Sequence, residues 1–301
     1  MTKTNFFINL LKPSGMTSHD AVNCIRKIFS EKKTGHLGTL DPGAVGVLPI
    51  AVGSCATRLI EYLQAKIKGY RAEFTLGQIS DTDDLYGNIT IVEPKIIPTE
   101  EEVKNALKEF EGEIYQTPPA SSAIQVNGVR LYKYFRKGID VEVPKRKIRI
   151  YSAKLVKYNY PKVIADIECQ EGTYIRSIAS DLGKKLNCGA LMSFLIRYKS
   201  GQFHISNSFS IEELKLYFNT DKKIFVTILE AMSDYPDITP EIKIIEKVKN
   251  GNEFYWKNEE NFADGQLLKI LDQNSNVIAI GKVCIIDDRT KIKCEKVLMA
   301  G

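Results

Sequence analysis

The sequence predicts an α+β fold: a larger unit built on a mixed, mainly antiparallel sheet, then a smaller β-rich one. Strand alternation and helical spacing follow one another along the chain without the regular βαβ repeat of a doubly wound sheet. Beyond Pro240 the strand signals dominate. The length of 301 residues suffices for two domains. Their expected limits are 1–237 and 238–301.

Taken in order, Phe6 to Leu10 reads as a short strand that stops at the turn Lys12-Pro13-Ser14-Gly15. Ser18 is placed to cap a helix carrying Ala21, Val22, Ile25, Ile28 and Phe29 at helical spacing. "KTGHLGTLDPGAVGVLPIAVG", Lys33 to Gly53, follows, with five glycines and two prolines around one acid, Asp41. It predicts a flexible, kinked stretch. Leu59, Ile60, Leu63 and Ile67 predict a helix. Tyr70, Ala72, Phe74 and Leu76 then alternate with polar residues through Gln78, a strand pattern.

Pro98 and the pair Thr99 and Glu102 form a capping box for a helix bearing Val103, Ala106, Leu107 and Phe110. Val163 to Gln170 alternates again. Glu171-Gly172 then turns the chain into a helix with Ile175, Ile178, Ala179 and Leu182. Ile205 to Pro240 is polar and partly helical and reads as a connector. Leu267 to Leu271, Val277 to Ile286 and Lys291 to Val297 read as strands joined by Asp/Asn-rich turns.

With 44% hydrophobic and 26% charged residues, the composition is that of a chain with a buried core. Neither an apolar run in Met1 to Leu11 nor a stretch of membrane-spanning length is present, which predicts a cytoplasmic protein. Six scattered cysteines without a CxxC pair predict free thiols, and three separated histidines show no metal-ligand spacing. The net charge of +5 is uneven. Val126 to Lys157 holds ten Lys/Arg against two acids, with Tyr132, Tyr134, Phe135 and Tyr151 interleaved. That stripe suits a polyanion with stackable bases; a solvated face is the alternative.

Asp41 precedes Pro42, which favours an extended backbone, and flanking Gly38 and Gly43 allow close approach of a bulky ligand. A carboxylate so placed suits a nucleophile or a general base; a turn aspartate bonding its own backbone is the plainer reading. Arg176 falls in the first turn of its helix, where a cation opposes the macrodipole, so it is either solvated or offset by an anion. Tyr70 sits on the apolar face of its strand, as a core tyrosine would, and His36 lies beside glycine in the loop.

"GHLGTLDPGAVGVLP" closely resembles the "GHTGTLDPxATGVLP" signature of the bacterial tRNA pseudouridine synthase B family, the tRNA pseudouridine(55) synthases. "KPSGMTSHDAVNCIRKIF", "YRAEFTLGQISDTDDLYG", "QTPPASSAIQVNGVRLYKYFRKG" and "GTYIRSIASDLGKKLNCGALMSFLIR" match further family segments in order and spacing. The resemblance covers roughly Asn9 to Phe209 and weakens past Ile211. It implies a catalytic domain of pseudouridine-synthase type, with an RNA-gripping insertion at about 116–147 and a small PUA-like RNA-binding domain after it.

It also implies an isomerase that converts uridine 55 in the T-loop of tRNA to pseudouridine. By the match, Asp41 is the catalytic nucleophile, Tyr70 the active-site tyrosine and Arg176 the arginine that pairs the aspartate. His36, Tyr174 and Leu195, with Tyr70, match positions that contact the flipped-out nucleotide, and Lys12 borders them. The family implies tRNA as sole partner, with no guide RNA, protein subunit, cofactor or metal, and a monomer. Flipping a base costs a few kcal/mol, of which stacking on Tyr70 returns about 1–3 kcal/mol. Leu37, Gly43, Val45, Ser121, Gln125 and Ile196 depart from the family pattern, and none of them is Asp41, Tyr70 or Arg176.

Overall fold

Ten strands between Phe6 and Thr227 form one sheet in a computed structural model that describes residues 5–64, 67–257, 262–287 and 289–298. Its main path runs Val226–Thr227, Phe6–Lys12, Val45–Val52, Ala190–Ser200, Lys68–Leu76, Lys162–Cys169, Arg146–Asn159, Gly112–Gln116. Every pairing is antiparallel except the one joining Ile196 to Val45 and Arg197 to Gly46. Gly46 has φ +120, and a Cβ there would collide with the Arg197 carbonyl, so this junction requires glycine.

The helices Ser18–Phe29, Glu100–Lys108 and Ile175–Lys185 lay their apolar stripes on one face. Ile8, Leu48, Ile50, Phe74 and Ile167 of the sheet meet them in the main core. Phe7, Val47 and Ala51 point to the other face, where Leu59, Leu63 and Phe203 cover them together with Ile280 and Leu298. Both faces of Val45–Val52 are therefore buried. A strand buried on both sides has no reason to alternate, so the second half of the glycine-rich stretch is a central strand and not a flexible loop.

Other differences from expectation have equally local causes. Thr17, not Ser18, caps the first helix, in a capping box with Asp20. The helix expected through Ile67 is two short ones, Ser54–Arg58 and Ile60–Gln64; residues 65–66 lie outside the described residues. Arg146–Asn159 and Ala190–Ser200 are long strands whose charges and bulges mask their alternation. The expected connector is part of the larger unit: Val226–Thr227 pairs with Phe6–Phe7, and Ile211, Leu214 and Ile224 join the main core. A capping box at Ser210 and Glu213 is its sequence signal.

A second sheet of five strands, ordered Asp237–Ile238, Leu267–Leu271, Val277–Ile286, Arg289–Val297 and Phe254–Trp256, follows with its own core. The α+β class and the β-rich C-terminal module are as expected. No helix among the described residues is long and apolar enough to cross a membrane.

Candidate active site

Asp41 sits on a loop tied down from four sides. Ser18 Oγ donates to the Leu40 carbonyl and accepts from the Leu40 amide, each at 2.9 Å. Lys12 Nζ donates to the carbonyls of Pro13, Met16 and Pro42. The Gly15 amide donates to Pro42 and Ser14 Oγ to Gly43. Arg197, 1% exposed, donates to Val47, Thr39 and Gly38 at 2.8, 3.0 and 3.2 Å. Glycines let the backbone fold this tightly, and buried cations satisfy the carbonyls it turns inward.

The Asp41 carboxylate remains 42% exposed at the mouth of a cavity of about 330 Å³. Arg176 Nε stands 3.3 Å from Asp41 Oδ2. Its Nη1 lies 3.2 Å from Asp84 Oδ2 and donates to Ser121 Oγ at 2.7 Å. Arg176 is thus buried and paired, which answers its unfavourable place in the first helical turn. The helix start itself is held from outside: Gln116 accepts from the Tyr174 amide and donates to the Tyr174 carbonyl, and Ser177 Oγ donates to Thr117.

Tyr70 lines the same cavity. Burial pushes its hydroxyl up to about 12, against the opposing pull and hydrogen bond of Arg197. Burial likewise raises the Tyr174 hydroxyl. Lys68 lies on the same strand face as Tyr70, and burial lowers it to about 8. Ser121, Ser122, Ala123 and Tyr132 of the segment after Gln116 close the cavity. A second chamber of about 470 Å³ opens across the Asp41–Arg176 pair, lined by Pro42, Tyr86, Phe194 and Arg136 among others.

Asp41, Tyr70, Tyr174, Arg176 and Leu195 therefore come together around one cavity. Lys12 and His36 do not line it. Lys12 is wholly buried beneath the loop, with its ammonium lowered to about 8 by desolvation. His36 lies on the strand Thr34–His36, half-buried, with Nδ1 lacking a described partner and its pKa lowered by burial. Sequence reasoning missed Asp84, Arg197 and Lys68. Asp84 stood in an unassigned run of acids, "SDTDDLYG", and Lys68 extends the inward alternation of Tyr70, Ala72 and Phe74.

Three of the six departures acquire structural reasons. Leu37 fills the second core. Gly43 faces the Tyr86 phenol, which a Cβ would strike. Ser121 takes a hydrogen bond from Arg176. The ten cations from Arg130 to Lys157 are all exposed, on the segment that closes the cavity and on the long strand beyond it.

The mainly antiparallel ten-stranded sheet thus carries an aspartate–arginine cavity beside its one parallel junction. Residues 26–175 match the model of the TruB family pseudouridylate synthase N-terminal domain, and residues 176–232 that of the tRNA pseudouridylate synthase B C-terminal domain. The chain belongs to the TruB family. It is 41% identical to tRNA pseudouridine synthase B of Heliobacterium mobile, over 97% of this chain and 94% of that one. The Caldanaerobacter subterraneus enzyme of the same name is 41% identical over 91% and 93%. Among solved structures, an H/ACA ribonucleoprotein bound to a substrate RNA containing 2′-deoxyuridine superposes with a TM-score of 0.76 at 26% identity, over 98% of this chain and 85% of that one.

Proposed function

We propose that this enzyme converts uridine 55 in the T-loop of tRNA to pseudouridine, with Asp41 as the nucleophile. The observation that carries the reading is the Asp41 carboxylate, held by Arg176 at the mouth of a cavity large enough for one flipped nucleoside. The reaction moves C1′ from N1 to C5 of the same uracil, an isomerisation that needs no electron acceptor. Arg176 pairs with the carboxylate and fixes its position at the cavity. Tyr70 supplies a stacking face for the base, and Tyr174 and Leu195 line its pocket. Lys12 acts from outside the cavity by holding the Asp41 loop, and His36, also outside it, contributes a contact to the flipped-out nucleotide.

The exposed cations around the 116–147 segment suit the tRNA backbone, and the five-stranded C-terminal module, 238–301, is a second RNA contact. We read the protein as a cytoplasmic monomer acting alone. Incubating the purified chain with an unmodified tRNA transcript and mapping pseudouridine tests the reaction, its position and the independence from partners. Product at position 55 without added RNA or protein is expected. Product only when a guide RNA or protein subunit is supplied would assign it to the ribonucleoprotein branch, and no product would refute the reading.

A further inference from the structure

Lys68 is a cation of the cavity that the pairing of Asp41 with Arg176 leaves unexplained. It is 3% exposed, yet it lines the cavity, whereas the Asp41 side chain at the mouth is 42% exposed. Its ammonium has one described partner, Ser200 Oγ at 2.8 Å. An ammonium carries three donors, so two remain. No carboxylate among the described residues stands within ion-pair distance of it; the charged and titratable groups facing it are Arg197, Glu171 and the Cys169 thiol. Arg197 spends its donors on loop carbonyls. Glu171, raised by its own burial, is the acid among these groups. The buried lining of the cavity thus includes two cations, Lys68 and Arg197, with Glu171 facing Lys68, whereas the Asp41 carboxylate is exposed.

Lys68 and Tyr70 stand two residues apart on one strand, about 6.5 Å along its axis. A six-membered base stacked on Tyr70 brings an edge within reach of Lys68. In the isomerisation, the N1–C1′ bond breaks with its electron pair left on the uracil, shared by N1, O2 and O4. The pair is returned when C5 bonds C1′, and the C5 proton is exchanged for one on N1. Between those events the base carries negative charge, whichever atom of the nucleotide Asp41 engages first.

We propose that Lys68, anchored by Ser200, donates to a carbonyl oxygen of the uracil and holds the negative charge on the base between the two bonds. The proposal rests on the pseudouridine-synthase reading of the cavity. It makes Lys68 a catalytic residue, with the function that oxyanion-hole donors serve in acyl transfer.

Lys68→Met removes the charge and keeps most of the volume. Single-turnover conversion of a tRNA transcript should fall about 10²–10³-fold. Affinity for tRNA should stay within about twofold, and the melting temperature should hold or rise, because no carboxylate is left unpaired. Transcripts with 2-thio- or 4-thiouridine at the target site read the contact itself. One of the two should slow the wild-type enzyme and cause no further loss in Lys68→Met, since both changes remove one interaction. If Lys68→Met does not fold, Lys68→Arg carries the same cycle, and the thio penalty must change there. Wild-type turnover in Lys68→Met, additive thio effects, or no wild-type penalty at either oxygen overturns the proposal. A wild-type enzyme that converts no uridine would instead refute the reading of the cavity.

Discussion

Arg176 Nη1 stands 3.2 Å from Asp84 Oδ2, with both side chains almost out of solvent, 9% and 10% exposed. The exposed partner of the same arginine is Asp41, at 3.3 Å. One guanidinium therefore bridges a buried carboxylate and one exposed at the cavity. Thr82 Oγ1 and the Tyr86 amide donate to the other Asp84 oxygen, which keeps Asp84 aimed at the arginine. Asp84 is a positioning residue: it fixes the guanidinium that orients Asp41.

Asp84→Asn keeps the shape and removes the buried charge. We expect turnover to fall by about 10²-fold, the scale of a small misplacement of a reacting group. Binding of tRNA should persist, and kcat should drop with little change in KM. Asp84→Ala should also lower the melting temperature, since Arg176 then loses its buried partner.

Asp41→Asn should abolish isomerisation while leaving tRNA affinity within a few-fold, because phosphate contacts supply most of the affinity. Filter binding and pseudouridine mapping on the same preparation separate the two. Turnover well above background would remove Asp41 from the nucleophile role.

Tyr70→Phe keeps the ring and so most of a stacking energy of about 1–3 kcal/mol. It deletes a hydroxyl that bonds Arg197 and whose pKa of about 12 keeps it protonated throughout the assay range. Near-normal binding with turnover lowered about 10²-fold is expected. Tyr70→Leu should weaken both. Unchanged turnover in the phenylalanine variant would leave Tyr70 a stacking surface alone.

Changing Arg136, Lys137, Lys145 and Arg146 to Gln should weaken tRNA binding, with turnover at saturating tRNA largely kept. All four are exposed. Each lost phosphate contact lowers the salt slope by about 0.7–0.9. A slope equal to wild type would make the stripe a solvated face.

Lys68 also predicts a pH signature in stability. Its folded pKa of about 8 lies below the ordinary 10.5, so the unfolded chain holds the proton more tightly. The penalty is complete below pH 8 and is relieved as pH rises from about 8 to 10.5. Lys68→Met should therefore gain up to about 3 kcal/mol over wild type at pH 7, a gain that shrinks by pH 10. Denaturant melts at the two pH values measure it.

Local chemistry was legible in the sequence wherever one segment decided its own form. The capping box at Thr99 and Glu102, the alternation from Tyr70 to Leu76 and the stripe from Ile175 to Leu182 each predicted their element, because periodicity records which face is buried. Ser18 was misread for the same reason: a cap is a local role, whereas its hydroxyl serves Leu40, 22 residues on.

The motifs around Asp41, Tyr70 and Arg176 named the family and its reaction from sequence alone. Tertiary structure decided what stands beside them. Val45–Val52 became a central strand because both of its faces are covered, which leaves no alternation to read. Asp84 reached Arg176 from 92 residues away, and Lys68 met Ser200 across 132. A buried charge is tolerable only beside the groups that compensate it, and in this fold those groups come from segments far apart in sequence: a loop and a helix for Asp84 and Arg176, two adjacent strands for Lys68 and Ser200.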